Sequence, residues 1–317
     1  MTDQSNALHW AQISEAGVTL GMRTLLLVHR CLGRWPFRLL LTPVVGYFYL
    51  TRGIARRASL DYLRRMHGPA GWLVRQWRSF RHFLTFGECL LDKALAWSGA
   101  LALDSVQIHG FESLRAQLAG GKGALILVSH LGNMEVSRAL ARRKPGIRLT
   151  VLEHTKHAPK FNRLLATLNQ ESQADLIQVT DVTASTAVML SERIARGGLV
   201  VIAADRVPVS AEPRVVAVPF LGECAPFPIG PYVLAGLLKC PVYLLFCLRL
   251  VDGFHIFIEP FLETVHLPHV GREATLKKAA ALFAARLEHY CRLAPLQWFN
   301  YYEFRAAPSG SQHVSGI

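Results

Sequence analysis

The chain has 317 residues, of which 51% are hydrophobic, and its mean hydropathy is +0.25. Its 35 Lys and Arg residues against 22 Asp and Glu give a formal net charge of +13. A chain of this length can bury a large core, and its apolar content exceeds the norm for a freely soluble domain. The arginines cluster with long aliphatic runs, and no recognition-helix or RNA-binding signature occurs. We therefore expect a membrane surface with anionic lipids as a partner, and no nucleic acid.

Residues 1–100 are predicted to form a helical, basic extension at a membrane interface, since they hold 13 Lys and Arg against 5 Asp and Glu. Their longest charge-free run, residues 39–51, has 13 residues, whereas a spanning helix needs about 20. Residues 22–32 and 37–50 have broad apolar faces and are followed by arginines, whereas residues 72–86 mix apolar residues with arginines. Both patterns are typical of interfacial helices. The alternative is a helical subdomain packed on the core, with its arginines solvated.

The first 20 residues lack the basic start, apolar stretch and small-residue cleavage site of a signal peptide, so we expect the catalytic part of the chain to stay cytoplasmic. The six cysteines form no Cys-x-x-Cys pair, and several lie in apolar runs where a free thiol acts as a small hydrophobe. We expect no structural disulfide.

From Asp104 onward, strand and helix patterns alternate, which predicts an α/β fold with a mixed, mostly parallel sheet flanked by helices. We expect one catalytic domain over residues 101–305 and a flexible tail over 306–317. The predicted strands are residues 106–109, 124–129, 149–153, 176–179, 199–204, 215–218, 242–248 and 254–258. The predicted helices are residues 135–143, 160–169, 183–196, 230–238 and 272–293.

The most informative motif lies between residues 123 and 135, where an aliphatic run ends on His130 and Glu135 opens a helical pattern. The carboxyl ends of strands in open α/β sheets are where ligands bind. If the helix begins after His130 with Asn133 as its N-cap, Glu135 lies in the first turn and can fold back to the imidazole. His130 would then be a general base and Glu135 its orienting carboxylate. The alternative is a core-edge histidine beside a solvated glutamate.

Residues 129–135 resemble the histidine and acidic-residue motif of the bacterial lipid A late acyltransferases, within the lysophospholipid acyltransferase superfamily. Residues 202–206, 218–231 and 297–299 resemble further segments of that family in the same order, so the likeness covers roughly residues 100–304. Departures are Met134, where Trp is usual, Arg206, where Gln is common, and a less aromatic and basic ending after Phe299. That ending is more similar to relatives found beside fatty-acid or polyene synthesis enzymes.

The resemblance implies an acyltransferase at the cytoplasmic face of the bacterial inner membrane, peripheral or monotopic. It implies an acyl thioester donor, either acyl carrier protein or acyl-CoA, and a hydroxyl of a lipid or glycolipid acceptor. His130 would remove the hydroxyl proton, and no acyl-enzyme is needed, since the chain has no Gly-x-Ser-x-Gly elbow. No cofactor or metal is expected. Two alternatives stay open. The chain is then either a thioesterase or lipid hydrolase in which the same pair activates water, or an acyltransferase with a polyene-type acceptor.

Further predicted substrate-binding residues are Asn133, Asp205, Arg206, Phe220, Gly222 and Arg249. Arg206 is predicted either to bind an anion of a substrate or to form a local ion pair with Asp205. Phe220 and Gly222 either shape an acyl or acceptor pocket or simply make a turn. Backbone amides near Gly132 and Gly222 are candidate oxyanion donors.

Two other motifs are interpreted without special chemistry. The two histidines of residues 153–157 have a metal-like spacing, but no third ligand is evident, so an exposed loop explains them better. The glycine-rich residues 120–123 precede a strand and lack a phosphate-loop ending, so a turn is expected.

Overall fold

The computed structural model describes residues 33–144, 146–153, 176–178, 183–207, 213–268, 270–302 and 304. Its centre is a seven-stranded sheet of β1 (Gln107–His109), β2 (Ala124–Val128), β3 (Leu149–Glu153), β4 (Leu176–Gln178), β5 (Leu199–Ala203), β8 (Val242–Leu250) and β9 (Gly253–Leu262). The strand order is β1-β9-β8-β2-β5-β3-β4, and every neighbouring pair is parallel except β8 and β9. The predicted mixed, mostly parallel α/β sheet is confirmed.

A separate antiparallel ribbon consists of β6 (Val215–Phe220) and β7 (Glu223–Pro228). No strand was predicted over β7, which contains Pro226 and Pro228, and proline is unfavourable in a central strand. In a two-stranded ribbon both strands are edges, so these prolines are tolerated there.

Helices cover the sheet and extend from it at the amino-terminal side. They are α1 (Arg34–Thr51), α2 (Gly53–His67), α3 (Trp72–Trp97), α4 (Phe111–Ala119), α5 (Met134–Arg143), α6 (Ala184–Ala195), α7 (Gly230–Leu238) and α8 (Arg272–Leu293). The predicted helices at residues 230–238 and 272–293 have the bounds of α7 and α8. The short α4 was not predicted, and the helix predicted at residues 160–169 lies outside the described residues.

The central strand β2 is an uninterrupted aliphatic run, buried along its whole length. Alternate side chains along a strand point to opposite faces, and they join two separate core clusters. Leu125 and Leu127 pack with the cluster that includes α6, α7 and α8, whereas Ile126 and Val128 pack with the cluster that includes α4 and α5. Helices therefore bury both faces of the sheet, which explains why β2 has no polar face.

The first three helices form a unit that packs by one apolar stripe. Phe37, Leu41, Val45 and Tyr49 recur every four residues along α1 and bury against α3. The predicted helical amino-terminal region is thus present in its described part, while the domain boundaries stay a prediction. In the part of the chain that the structure describes, no helix combines the length and apolarity needed to span a membrane.

Candidate active site

The parallel pairing of β2 with β5 brings the two central side chains of the site together. Val128 is the register partner of Ala203, and the amide N of Ala204 donates to the carbonyl O of Val128 at 2.9 Å. His130 and Asp205 each follow two residues after these strand ends, so they emerge at the same edge of the sheet. The Nδ1 atom of His130 lies 2.7 Å from Oδ1 of Asp205.

Asp205 is completely buried, and each of its carboxylate oxygens has a hydrogen-bond partner. Besides the imidazole on Oδ1, Oδ2 accepts from the backbone N of His130 at 2.8 Å and from Nε1 of Trp298 at 3.0 Å. Burial alone raises the pKa of Asp205, but its electrostatic interaction and hydrogen bonds with His130, together with the charge of Arg206, hold that pKa below its ordinary value. The side chain is therefore an ionised acceptor.

An ionised Asp205 fixes the tautomer of His130. A carboxylate can only accept, so Nδ1 carries the proton, and Nε2 of the neutral ring keeps a free lone pair. About a third of the His130 side chain is exposed, while its partner is fully enclosed. This is the arrangement of a general base oriented by a buried carboxylate.

The backbone around His130 is held by the segment that follows α8. The carbonyl O of His130 accepts from the N of Phe299 at 3.1 Å, and the N of Gly132 donates to the carbonyl O of Gln297 at 2.9 Å. The Gly132 amide, considered above as an oxyanion donor, is therefore already engaged. Gly132 has φ +75°, and a Cβ there would lie 1.9 Å from the carbonyl O of Cys247, so both conformation and space require glycine.

The predicted pairing of Glu135 with His130 is wrong, because Asp205 occupies Nδ1. Asn133 does cap α5 as predicted, accepting from the N of Glu135 at 3.2 Å. The Glu135 carboxylate instead accepts from Nε1 of Trp97 at 2.5 Å and lies 3.5 Å from Nζ of Lys93 and 3.7 Å from Nη1 of Arg138. Glu135 thereby ties α5 to α3, in the wall beside His130.

An apolar cavity of about 620 Å³ contains His130 in its wall. Its floor is the sheet face carrying Val128, Ile126, Ala203, Val201 and Leu199, and its sides come from α3, α4 and α5. Ala203, Val201 and Leu199 pair with Val128, Ile126 and Ala124, respectively, so the floor descends away from His130 in three steps. Volumes of 300–1,000 Å³ with mostly apolar walls and a few polar groups are usual for ligand sites.

Two predicted substrate-binding arginines have protein partners. Arg206 donates through Nε to Oδ1 of Asn300 at 2.9 Å and through Nη2 to the carbonyl O of Phe299 at 2.7 Å, and burial lowers its pKa. Arg249 donates through Nη1 to both carboxylate oxygens of Asp92, at 3.0 and 2.8 Å. No ion pair joins Arg206 to Asp205 within the described residues. Arg206 thus fixes the carboxyl-terminal segment, although it also lines the cavity.

Phe220 lines a separate, smaller cavity, and Gly222 belongs to a turn. Phe220 is buried against the rings of Phe227 and Trp298, with centroids 5.4 and 5.2 Å apart. Gly222, at φ +81°, makes the turn between β6 and β7. Neither lines the cavity that contains His130. The interpretation as turn chemistry is the correct one for Gly222, and Phe220 is a core residue.

Sequence reasoning missed Trp298 and Trp97 as partners of the two carboxylates. Across the described ranges, no group of three or more His, Cys, Asp or Glu side chains is arranged to hold a metal ion. The histidines of residues 153–157 lie outside the described residues.

A family model for the bacterial lipid A biosynthesis acyltransferases matches residues 90–301, about two thirds of the chain. The chain belongs to this family. A search of curated proteins found no match. Membership of this family identifies the protein as an acyltransferase that transfers an acyl group to a lipid acceptor.

In this lipid A family acyltransferase, the matched region contains both His130 and Asp205, the sheet and most of the cavity wall. Met134 stands where the family's histidine and acidic-residue motif usually has Trp, and it lies on that wall. The change therefore alters the lining of the cavity and leaves the His130–Asp205 pair untouched.

Proposed function

We propose that this acyltransferase moves a fatty acyl chain from an acyl thioester to a hydroxyl of a lipid or glycolipid, with His130 as general base and Asp205 as its orienting carboxylate. The observation that carries the proposal is the 2.7 Å contact between Nδ1 of His130 and Oδ1 of a fully buried Asp205, in the wall of an apolar cavity. The pair supplies the base, and the cavity offers space for a hydrocarbon chain.

In the proposed reaction, Nε2 of His130 takes the proton of the acceptor hydroxyl as its oxygen attacks the thioester carbonyl carbon. The negative charge of Asp205 stabilises the imidazolium that forms. Collapse of the tetrahedral intermediate breaks the C–S bond, and the imidazolium proton goes to the departing thiolate. The new ester and a free thiol leave, and His130 is neutral again. The transfer is direct, without an acyl-enzyme.

The acyl chain is proposed to lie in the cavity along the floor formed by Val128, Ile126 and Leu199. Each buried methylene contributes about 0.8 kcal/mol to binding, so the length of the floor favours chains that fill it. Glu135 acts by joining α5 to α3 through Trp97 and Lys93, and so by keeping the cavity wall in place.

The acyltransferase is further proposed to bind the cytoplasmic face of the inner membrane through α1 and the start of α3. Besides its buried stripe, α1 exposes a second apolar set, and α3 adds to it. This apolar face consists of Trp35, Leu39, Leu40, Val44, Tyr47, Leu50, Trp72, Leu73, Val74 and Trp77. Exposed apolar groups of this number beside arginines are typical of interfacial helices that meet anionic headgroups. We also propose that the acyl donor is carried by acyl carrier protein, that the enzyme needs no cofactor, and that its location is cytoplasmic.

The test is lipid mass spectrometry of membranes from the native host expressing the wild-type chain, His130→Ala or His266→Ala at matched protein levels. His266 is exposed and does not line the cavity, so its variant controls for loss of any histidine. We expect a lipid heavier by one acyl group with the wild type and His266→Ala only. Release of free fatty acid without an acylated lipid would instead support a hydrolase, and no difference from folded His130→Ala would refute both.

A further inference from the structure

A second cavity, of about 490 Å³, lies on the other side of the loop that follows His130, and its lining is strongly basic. It is bounded by α1, the end of α2, α3, the β8–β9 turn and the segment after α8. We name it the basic cleft, defined by Arg38, His67, Arg78, Arg81 and Arg249. None of these side chains lines the cavity that contains His130.

The two carboxylates in the basic cleft are already paired. Nε of Arg38 lies 2.9 Å from Oε1 of Glu88, and Nη1 of Arg249 lies 2.8 Å from Oδ2 of Asp92. Arg78 and Arg81 have no carboxylate within ion-pair distance among the described residues. The four guanidinium groups of the cleft therefore exceed its carboxylates by two positive charges.

Arg78 and Arg81 are three residues apart on α3, so they lie on the same face of the helix. Guanidinium groups bind phosphate through parallel N–H donors, which makes two neighbouring arginines a strong phosphate receptor. The pKa of His67 is lowered by burial and by the charge of Arg78. The positive charge in the cleft thus acts on a side chain of another helix, since His67 lies on α2 and Arg78 on α3.

The basic cleft and the acyl cavity share a wall. Cys89, Gly132, Asn133 and Phe299 line both of them, and Gly132 and Asn133 belong to the loop directly after His130. A molecule with an anionic group and an apolar or acyl-bearing part would therefore meet complementary surfaces on both sides of the loop.

We propose that the basic cleft binds a phosphate group carried by one of the two substrates, and that Arg78 and Arg81 are its main ligands. This inference rests on the proposed function. The phosphate belongs either to the headgroup of a lipid or to the phosphopantetheine arm that carries the acyl thioester. Both are phosphate esters, and the cleft recognises the phosphate in either case.

The experiment measures binding to the purified full chain by titration calorimetry, without turnover. One pair of probes is 4′-phosphopantetheine and pantetheine, and the other is dihexanoyl phosphatidic acid and dihexanoylglycerol below their micellar concentrations. Each pair differs only in the phosphate. The proteins are wild type, Arg78→Gln/Arg81→Gln and the control Arg115→Gln/Arg272→Gln, which loses the same charge at two exposed arginines outside both cavities. Thermal melting establishes that each variant is folded.

We expect the wild type to bind one phosphate probe at least tenfold more tightly than its phosphate-free counterpart. Arg78→Gln/Arg81→Gln should abolish that preference, and the control should keep it. A preference for phosphopantetheine assigns the cleft to the donor, and one for phosphatidic acid assigns it to a lipid headgroup. The proposal is overturned if the wild type has no phosphate preference, if Arg78→Gln/Arg81→Gln keeps it, or if the control loses it equally. His130→Ala should bind as the wild type does, so a failure of the catalytic proposal leaves this result intact.

Discussion

Replacing Asp205 by Asn tests which carboxylate orients His130. An Asn side chain keeps the shape of Asp205 but replaces one acceptor oxygen with an NH₂ donor. If that NH₂ faces Nδ1 of His130, the ring must carry its proton on Nε2 and loses its free lone pair. If it faces the other way, it meets the N–H groups of His130 and Trp298, which are both donors. The first orientation removes the lone pair of the general base, and the second sets an NH₂ donor against two N–H donors and removes the negative charge beside the imidazole.

We expect Asp205→Asn to lower kcat by 10²–10⁴, the range that general-base catalysis supplies, or about 3–5 kcal/mol at 1.36 kcal/mol per decade. Single-turnover transfer from an acyl thioester in mixed micelles measures this loss. Glu135→Gln is the matched control and should cost less than about tenfold, because Glu135 contacts Trp97, Lys93 and Arg138 instead of the imidazole.

The opposite ranking, with Asp205→Asn nearly active and Glu135→Gln inactive, would refute the assignment. Melting curves separate catalysis from folding. The lowered pKa of Asp205 means that the folded state favours its ionised form. The ionised Asp205 carboxylate therefore stabilises the fold at pH values above the ordinary carboxyl pKa. This stabilisation is lost as the pH falls through the lowered pKa of Asp205. Asp205→Asn should lack that pH dependence.

Three further predictions concern the surroundings of this pair. Burial lowers the pKa of His82 to about 4, while its bond to the Trp298 carbonyl raises it. The unfolded chain therefore takes up a proton between the ordinary pKa of 6.5 and about 4, whereas the folded chain does not. Acidification through that window should cost about 3 kcal/mol of unfolding free energy, and urea titrations of His82→Gln should lose this slope. Gly132→Ala should lower the melting temperature and destabilise the fold by at least about 2 kcal/mol, because its Cβ overlaps the Cys247 carbonyl. Gly222→Ala, with a similar φ and open space around it, should cost about 1 kcal/mol, and equal losses would contradict the overlap argument. Val201→Phe narrows the cavity floor and should shift product acyl chains to shorter lengths in mass spectra; an unchanged distribution would exclude this floor as the acyl site.

The local patterns that predicted helices and strands were reliable where periodicity and end residues agreed. Glycine and proline near the ends of α8, and Asn133 at the start of α5, are local features that act within one or two turns. The stretch over residues 72–86 was harder to interpret. Trp72, Leu73 and Trp77 are exposed, as an interfacial helix requires, but His82 is fully buried and bonded to Ser59 and to the Trp298 carbonyl.

The amino-acid sequence alone predicts that β2 is a buried strand, that His130 follows its end, and that α5 begins after Asn133. It did not determine which acid meets the imidazole. Glu135 is five residues away in the chain and Asp205 is 75 residues away, so local spacing favours Glu135. The fold brings Asp205 to His130 instead, because β5 pairs in parallel with β2 and both side chains emerge two residues beyond register partners. Strand order depends on burying whole faces of the sheet, which no short segment encodes, and so the carboxylate that meets His130 depends on the packing of the whole domain.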